Sequence, residues 1–299
     1  MLIQSQPRRH KFVPALLFAL TLITTSSAGH RFFFNFHNGL PAVRIEEDFL
    51  PLLQGLLQPS AWLAGLSFSL PLLLILLAHE LGHYCTCLYY NLNATLPYFL
   101  PAPTFIGTFG AFIRIRDIIY NRRVLFDVAL GGPLAGLVVT LPFLFFGLWL
   151  SRWDPALAPQ GDLIFTQPPL MRLFSLFFFP TAPPEQIYLH PMARGAWVGL
   201  FATALNLLPI GQLDGGHIVY AASPRWARAI THLAIAALVP LGLLYYLPWL
   251  GWAALLFFFG RRHPRIEDPT PLNSARLLLA ALALLLFALC FSPAPLRYG

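Results

Sequence analysis

Long apolar runs separated by short polar segments make up most of this chain. A helix that crosses a membrane needs about 20 consecutive apolar residues, and by that measure six or seven spans can be read. The first runs from Phe12 to about Ala28. A connecting region, 29–60, holds Glu46, Glu47 and Asp48, and the second span follows at about 61–90. A connection with several polar residues, 91–123, leads to a third span at about 124–150. The loop 151–194 is rich in Pro and Phe, and its Leu173–Phe179 segment is apolar enough to dip into the interface. A fourth span covers about 195–221. The apolar stretch 229–259 is broken by Pro240 and Pro248 and reads as a hairpin of two spans, and a last span covers about 275–291. The pattern predicts an all-α polytopic membrane protein. One segment has a different period: Ala111 to Arg116 alternates toward its end, as a half-exposed strand or an interfacial loop would.

Composition supports the membrane reading. Of 299 residues 57% are hydrophobic and only 10% charged, against about 25% in ordinary globular chains. The formal charge of +7 could suggest nucleic acid as a partner. The arginines instead cluster in short loops between apolar runs, as positive-inside topology requires, which argues against a nucleic-acid partner. They place the N-terminus, 91–123, 221–228 and 260–274 on the cytoplasmic side. Arg8, Arg9 and Lys11 before an apolar run ending in Ser26-Ser27-Ala28 also fit a secretory signal peptide; a retained anchor suits a protein that is itself membrane-embedded. With no long transit peptide ahead of that run, a bacterial cytoplasmic (inner) membrane is the expected location. The three cysteines, Cys85, Cys87 and Cys290, suggest no disulfide framework.

The chemistry lies in the second span, where His79-Glu80-Leu81-Gly82-His83 interrupts apolar sequence. Ionisable groups at membrane depth are costly and are usually kept for function. On a helix, i and i+4 share a face, so His79 and His83 can point at one metal. Imidazole suits Zn²⁺, and catalytic zinc commonly has three protein ligands and a water. Glu80, displaced about 100° around the helix, can miss the metal yet reach that water as a general base. The best third ligand is Asp214, a carboxylate in the fourth span followed by Gly215-Gly216, where backbone can approach closely. Cys87, four residues after His83, is an alternative ligand or a packed apolar residue. His217 is either near the metal without binding it or interfacial. Asn206 could donate to an oxyanion, hold substrate backbone or bridge helices.

The motif helix, the later Asn206-x-x-Pro209-x-x-x-x-Asp214-Gly-Gly element and their order resemble the site-2 protease family of intramembrane zinc metalloproteases. Gly107-Thr108-Phe109-Gly110-Ala111, Phe126-Asp127 through Gly131-Gly132-Pro133, and His263-Pro264 through Asp268-Pro269-Thr270-Pro271 strengthen the likeness, which covers about 60–270 and is closest to the branch without a PDZ domain. The resemblance implies one Zn²⁺ per chain held by His79, His83 and Asp214, and Glu80 as catalytic base. The implied activity cuts in or near a transmembrane segment, and the implied core is three helices at roughly 61–90, 124–150 and 195–221. It also implies a 1–60 anchor and connecting loop, a 61–274 catalytic membrane domain, and a 275–299 terminal helix and tail. Some relatives carry Asn after the Gly-Pro element; here the sequence is Gly132-Pro133-Leu134-Ala135-Gly136, which puts a polar contact there in doubt.

A transmembrane helix hides its peptide bonds, so a protease must first hold its substrate extended. Strand addition at an exposed edge supplies that geometry. The resemblance supports such a clamping strand within 107–116, with Gly110 and Ala111 as substrate-binding residues. The partners implied are a transmembrane protein substrate and the bilayer; the substrate's identity and the oligomeric state are not written in the sequence. A metal-ion carrier would use a similar cluster, but carriers usually show internal repeats, and none is visible. Asp127, near the start of the third span, reads most simply as a charge favoured by the helix dipole.

Overall fold

Proline opens many of the helices in the computed structural model, which describes residues 9–153, 163–260, 266, 268 and 270–297. Its fixed φ suits the first helical turn, where its missing N–H has no partner to lose. The helices are α1 (Arg9–His37), α2 (Ile45–Gly55), α3 (Pro59–Tyr89), α4 (Arg122–Trp149), α5 (Pro169–Phe178), α6 (Pro191–Asn206), α7 (Asp214–Ala222), α8 (Pro224–Leu244), α9 (Pro248–Leu255) and α10 (Ser274–Cys290). Asparagine starts two others: Asn121 accepts the Arg123 N–H ahead of α4, and Asn273 accepts the Arg276 N–H ahead of α10. Among the described residues, four helices are long and apolar enough to cross a bilayer: 12–37 of α1, α3, α4 and α8. Shorter apolar helices are α5, α9 with the π-helical turn Leu256–Gly260, and α10. The chain is a mostly helical, polytopic membrane protein.

One stretch differs from the sequence reading, and another is interrupted where Pro209, Gly211, Gly215 and Gly216 predict a break or bend. The connecting region 29–60 is largely helical, because α1 continues to His37 and α2 fills Ile45–Gly55. The acid Asp48 is buried there, accepting from Arg31, Asn35 and the Arg44 N–H. The expected fourth span, 195–221, is divided between α6 and α7. Pro209 cannot donate a helical N–H and disfavours helix at Leu208 before it, so 207–213 turns instead. The stretch 229–259 forms two helices, α8 followed by α9: Pro248 opens the second, while Pro240 lies inside α8 without ending it, and α9 is shorter than a full span. Arg8, Arg261, Arg262, His263, Pro264, Arg265 and Pro269 lie outside the described residues, as does 154–162 of the long loop.

Helices α1, α3, α4 and α6 pack together around Phe68, Leu72, Ile75, Phe126, Trp197 and Leu200, all almost fully buried. Burying apolar side chains between helices gains little when lipid is the alternative, so small and hydroxylated residues mark the crossings. One is the α1–α3 contact, where the Ser26 and Ser69 hydroxyls share a 2.9 Å hydrogen bond. By contrast, α8 and α10 leave Leu233, Leu243, Leu244, Leu278 and Leu284 exposed, as lipid-facing helices do.

Between α3 and α4 lie β1 (Tyr98–Pro101) and β2 (Thr108–Phe112), antiparallel with Phe99 opposite Ala111. The pairing extends beyond the strands: the Thr95 N–H donates to the Arg114 carbonyl (3.0 Å) and the Arg116 N–H to the Asn93 carbonyl (2.8 Å).

Two charged residues fix α4 against its neighbours. Asp127 is more than a dipole-stabilised charge: it accepts from Arg276 of α10 at 2.9 and 2.7 Å and from the Tyr90 hydroxyl at the end of α3. Arg122 is buried and donates to the carbonyls of Ala221 (2.9 Å from Nε) and Ala222 (3.0 Å), the last turn of α7. A cation on those carbonyls complements the negative end of that helix. It ties the far end of α7 to the first turn of α4, leaving the Asp214 end beside α3.

Candidate active site

Helix α3 presents His79 and His83 one turn apart on a single face. Asp214, the first residue of α7, meets them there: its Oδ2 lies 3.3 Å from His79 Nε2 and 3.3 Å from His83 Nε2. The two nitrogens are 3.1 Å apart. Zinc holds His nitrogen and carboxylate oxygen at about 2.0–2.2 Å in tetrahedral sites, which puts neighbouring ligand atoms roughly 3.3 Å apart. The triangle fits one face of such a tetrahedron and leaves the opposite apex open. Among the described residues this is the one group of His, Cys, Asp or Glu side chains so arranged.

The surroundings orient these ligand atoms. His83 Nδ1 is 2.8 Å from the Val128 carbonyl, which can only accept, so the ring proton sits on Nδ1 and the Nε2 lone pair points into the site. Room for both rings comes from α4. A Cβ on Gly132 would lie 2.2 Å from His83 Nε2, and one on Gly136 would lie 3.3 Å from His79 Cβ. The two glycines repeat on α4 the i, i+4 spacing of the histidines on α3. Asp214 is placed by the turn before it, where a Cβ on Gly215 would come within 2.1 Å of the Leu207 carbonyl. Irregular backbone at membrane depth must be satisfied by protein. In this turn Gly211 N–H donates to Thr231 Oγ1 (3.2 Å) and Gln212 N–H to the Gly260 carbonyl (2.9 Å).

Glu80 is buried but offset around α3 from the ligand face, with the Ile113 backbone N–H facing its carboxylate. It opens on the same cavity as the two histidines and Asp214, about 590 Å³ in volume. Asn206, the last residue of α6, adds its Nδ2 3.1 Å from His79 Nε2. The facing wall is extended chain. Arg114 and Arg116 turn main-chain groups toward 93–95, so by strand alternation Ile113 and Ile115 turn theirs the other way, toward Glu80. Ala111 lines the cavity. Gly110 does not; it sits one residue away at φ +103, and a Cβ there would meet nothing within 4 Å. His217 lines the cavity. Cys87 is fully buried against Ala94 and Val128 and does not join the ligand group.

Sequence reasoning did not single out Gly132 and Gly136 as making space for the rings, although their spacing matches that of the histidines. It also passed over Arg122, for which a local pattern offers no signal.

Comparison with known proteins places the chain in a family. The family model described as peptidase family M50 matches residues 67–247. The Arabidopsis thaliana protein named "Probable zinc metalloprotease EGY1, chloroplastic" is 31% identical over 240 residues, covering 77% of this chain and 43% of that protein. Its EGY2 counterpart, similarly named, is 32% identical over 241 residues, or 78% of this chain and 43% of the relative. An Oryza sativa subsp. japonica EGY1 protein is 30% identical over 242 residues, 78% and 41% respectively. The chain spans less than half the length of these curated relatives.

Proposed function

The chain belongs to peptidase family M50, and on that premise we propose that it is an intramembrane zinc metalloendopeptidase that hydrolyses peptide bonds in or near transmembrane segments of other membrane proteins. One observation carries the reading: three inward-facing ligand atoms 3.1–3.3 Å apart share a cavity with a buried glutamate and an extended edge.

In this reading one Zn²⁺ per chain is held by His79 Nε2, His83 Nε2 and Asp214 Oδ2. Zinc, when bound, lowers the pKa of water to about 7 and polarises a carbonyl. Glu80 takes a proton from the attacking water as its oxygen adds to the scissile carbonyl carbon. As the C–N bond breaks, Glu80 returns that proton to the leaving nitrogen. The Asn206 amide donates to the carbonyl oxygen as it gains charge. The edge formed by Ala111 to Ile115 holds the substrate extended by strand addition, and the bend at Gly110 leaves the backbone open to it. The catalytic membrane domain is 61–274; α1 and α2 pack against its α3, and α10 is tied to it through Arg276.

The arginine distribution puts the site toward the cytoplasmic ends of its helices. The chain is an integral membrane protein. The relatives are named as plant chloroplast proteins, and they lend no support to a bacterial inner membrane.

The direct test is metal removal. Detergent-purified protein stripped of metal by a chelator is expected to stop cutting a transmembrane reporter, and added Zn²⁺ to restore cutting. Undiminished cleavage by metal-free protein would sink the proposal.

A further inference from the structure

We propose that Asp117 forms a subsite for a lysine or arginine on the cytoplasmic flank of the transmembrane segment being cut. This rests on the proteolytic reading and adds a substrate class to it. From 111 to 116 the chain runs extended along the cavity, and it bends at Asp117. Every odd-numbered residue from 111 to 119 is half-buried and lines the cavity; the even-numbered residues between them are exposed, and of these Phe112 and Ile118 also line it. The inward row is Ala111, Ile113, Ile115, Asp117 and Ile119, so Asp117 is the one polar side chain in it.

The carboxylate is held in place. Its Oδ2 accepts from the Asn93 backbone N–H (2.7 Å) and from Asn93 Nδ2 (2.8 Å). It takes part in no ion pair among the described residues, although the chain carries a formal charge of +7 and Arg114 and Arg116 are close in sequence. Glu80 and Asp214, the other carboxylates on the cavity, are engaged in the site. Asp117 is thus an oriented negative charge, without a cation, in an apolar row beside the site.

A substrate strand laid along this edge advances about 3.3 Å per residue. With the bond to be cut beside Glu80 and Ile113, the substrate residue facing Asp117 lies four positions along (117 − 113 = 4), roughly 13 Å away. The arginine-rich 114–123 segment places that direction on the cytoplasmic side. There the flanks of transmembrane helices are enriched in lysine and arginine. The complementarity is therefore between an acid fixed in the protease and a charge that its substrates carry for reasons of topology.

The test is an arginine scan. Reporters share one apolar transmembrane segment and an alanine flank, and a single Arg is moved one position at a time along the cytoplasmic flank. Wild type is expected to cleave one register, about three to five residues from the scissile bond, roughly five- to tenfold faster (kcat/KM) than the same reporter with Asp there. Asp117→Asn keeps the Asn93 contacts and is expected to reduce that ratio to about twofold or less; Asp117→Arg is expected to invert it. Zinc content of each variant reports that the site is intact. If Asp117 only braces the turn at Asn93, its replacement changes rate without changing the charge preference. A scan that is flat in wild type, or a preference that survives both substitutions, overturns the subsite alone. No cleavage of any reporter by wild type overturns the proteolytic reading and the subsite together.

Discussion

Glu80→Gln is expected to lower the cleavage rate by about 10²–10⁴-fold, the usual worth of a general base, while zinc stays bound. Glutamine keeps the volume of glutamate, and its carbonyl oxygen can still face the Ile113 N–H. What it loses is the ability to take a proton. The predicted ligand atoms are those of His79, His83 and Asp214, so the metal has no reason to leave. The measurement is paired: initial rate on a transmembrane reporter, and metal per chain on the same preparation. Cleavage at the wild-type rate would remove Glu80 from the mechanism. Loss of zinc along with activity would make Glu80 a ligand or a structural support instead.

A change of one methyl group on another helix is expected to act by the opposite route, through loss of the metal. In Gly132→Ala the new Cβ would fall 2.2 Å from His83 Nε2 and 2.5 Å from both Cδ2 and Cε1, well inside contact distance. The ring cannot move aside freely, because Nδ1 is bonded to the Val128 carbonyl at 2.8 Å. Rotating it breaks that bond and withdraws Nε2 from the other two ligand atoms. Disturbing the groups that orient a ligand commonly costs 10–100-fold in metal affinity. We expect at least that loss in a competition titration against a zinc chelator, with the helical content of the protein unchanged. Zinc affinity equal to wild type would mean that His83 is not held where its lone pair faces Asp214.

Most of the site was legible in the sequence because its parts are local or marked by rare residues. Two histidines at i, i+4 declare a shared helix face, and a carboxylate followed by two glycines stands out in an apolar span. These features sufficed to name the three residues whose ligand atoms converge, and period-2 alternation located the extended wall opposite them. The division of 195–221 was legible only from its proline and glycines. Leu207, Leu208, Ile210 and Leu213 are as apolar as the helices on either side, so hydropathy runs straight across the turn, and Pro209 and Gly211 alone mark it. The bonds from Arg122 to Ala221 and from Arg276 to Asp127 join positions far apart in sequence, and an isolated arginine in a loop carries no sign of its partner. Glycines that make room for a neighbour's ring are equally silent, since what they accommodate belongs to another helix.

We propose that His79, His83 and Asp214 together hold one zinc. This is tested most directly by metal analysis of the purified chain in wild-type and Asp214→Ala forms, both checked for an intact helical fold. The expected result is one zinc per chain in wild type and a small fraction of that in the variant, whose two remaining histidines are too few to retain it. Undiminished zinc in Asp214→Ala would contradict the claim and require a ligand from elsewhere in the chain.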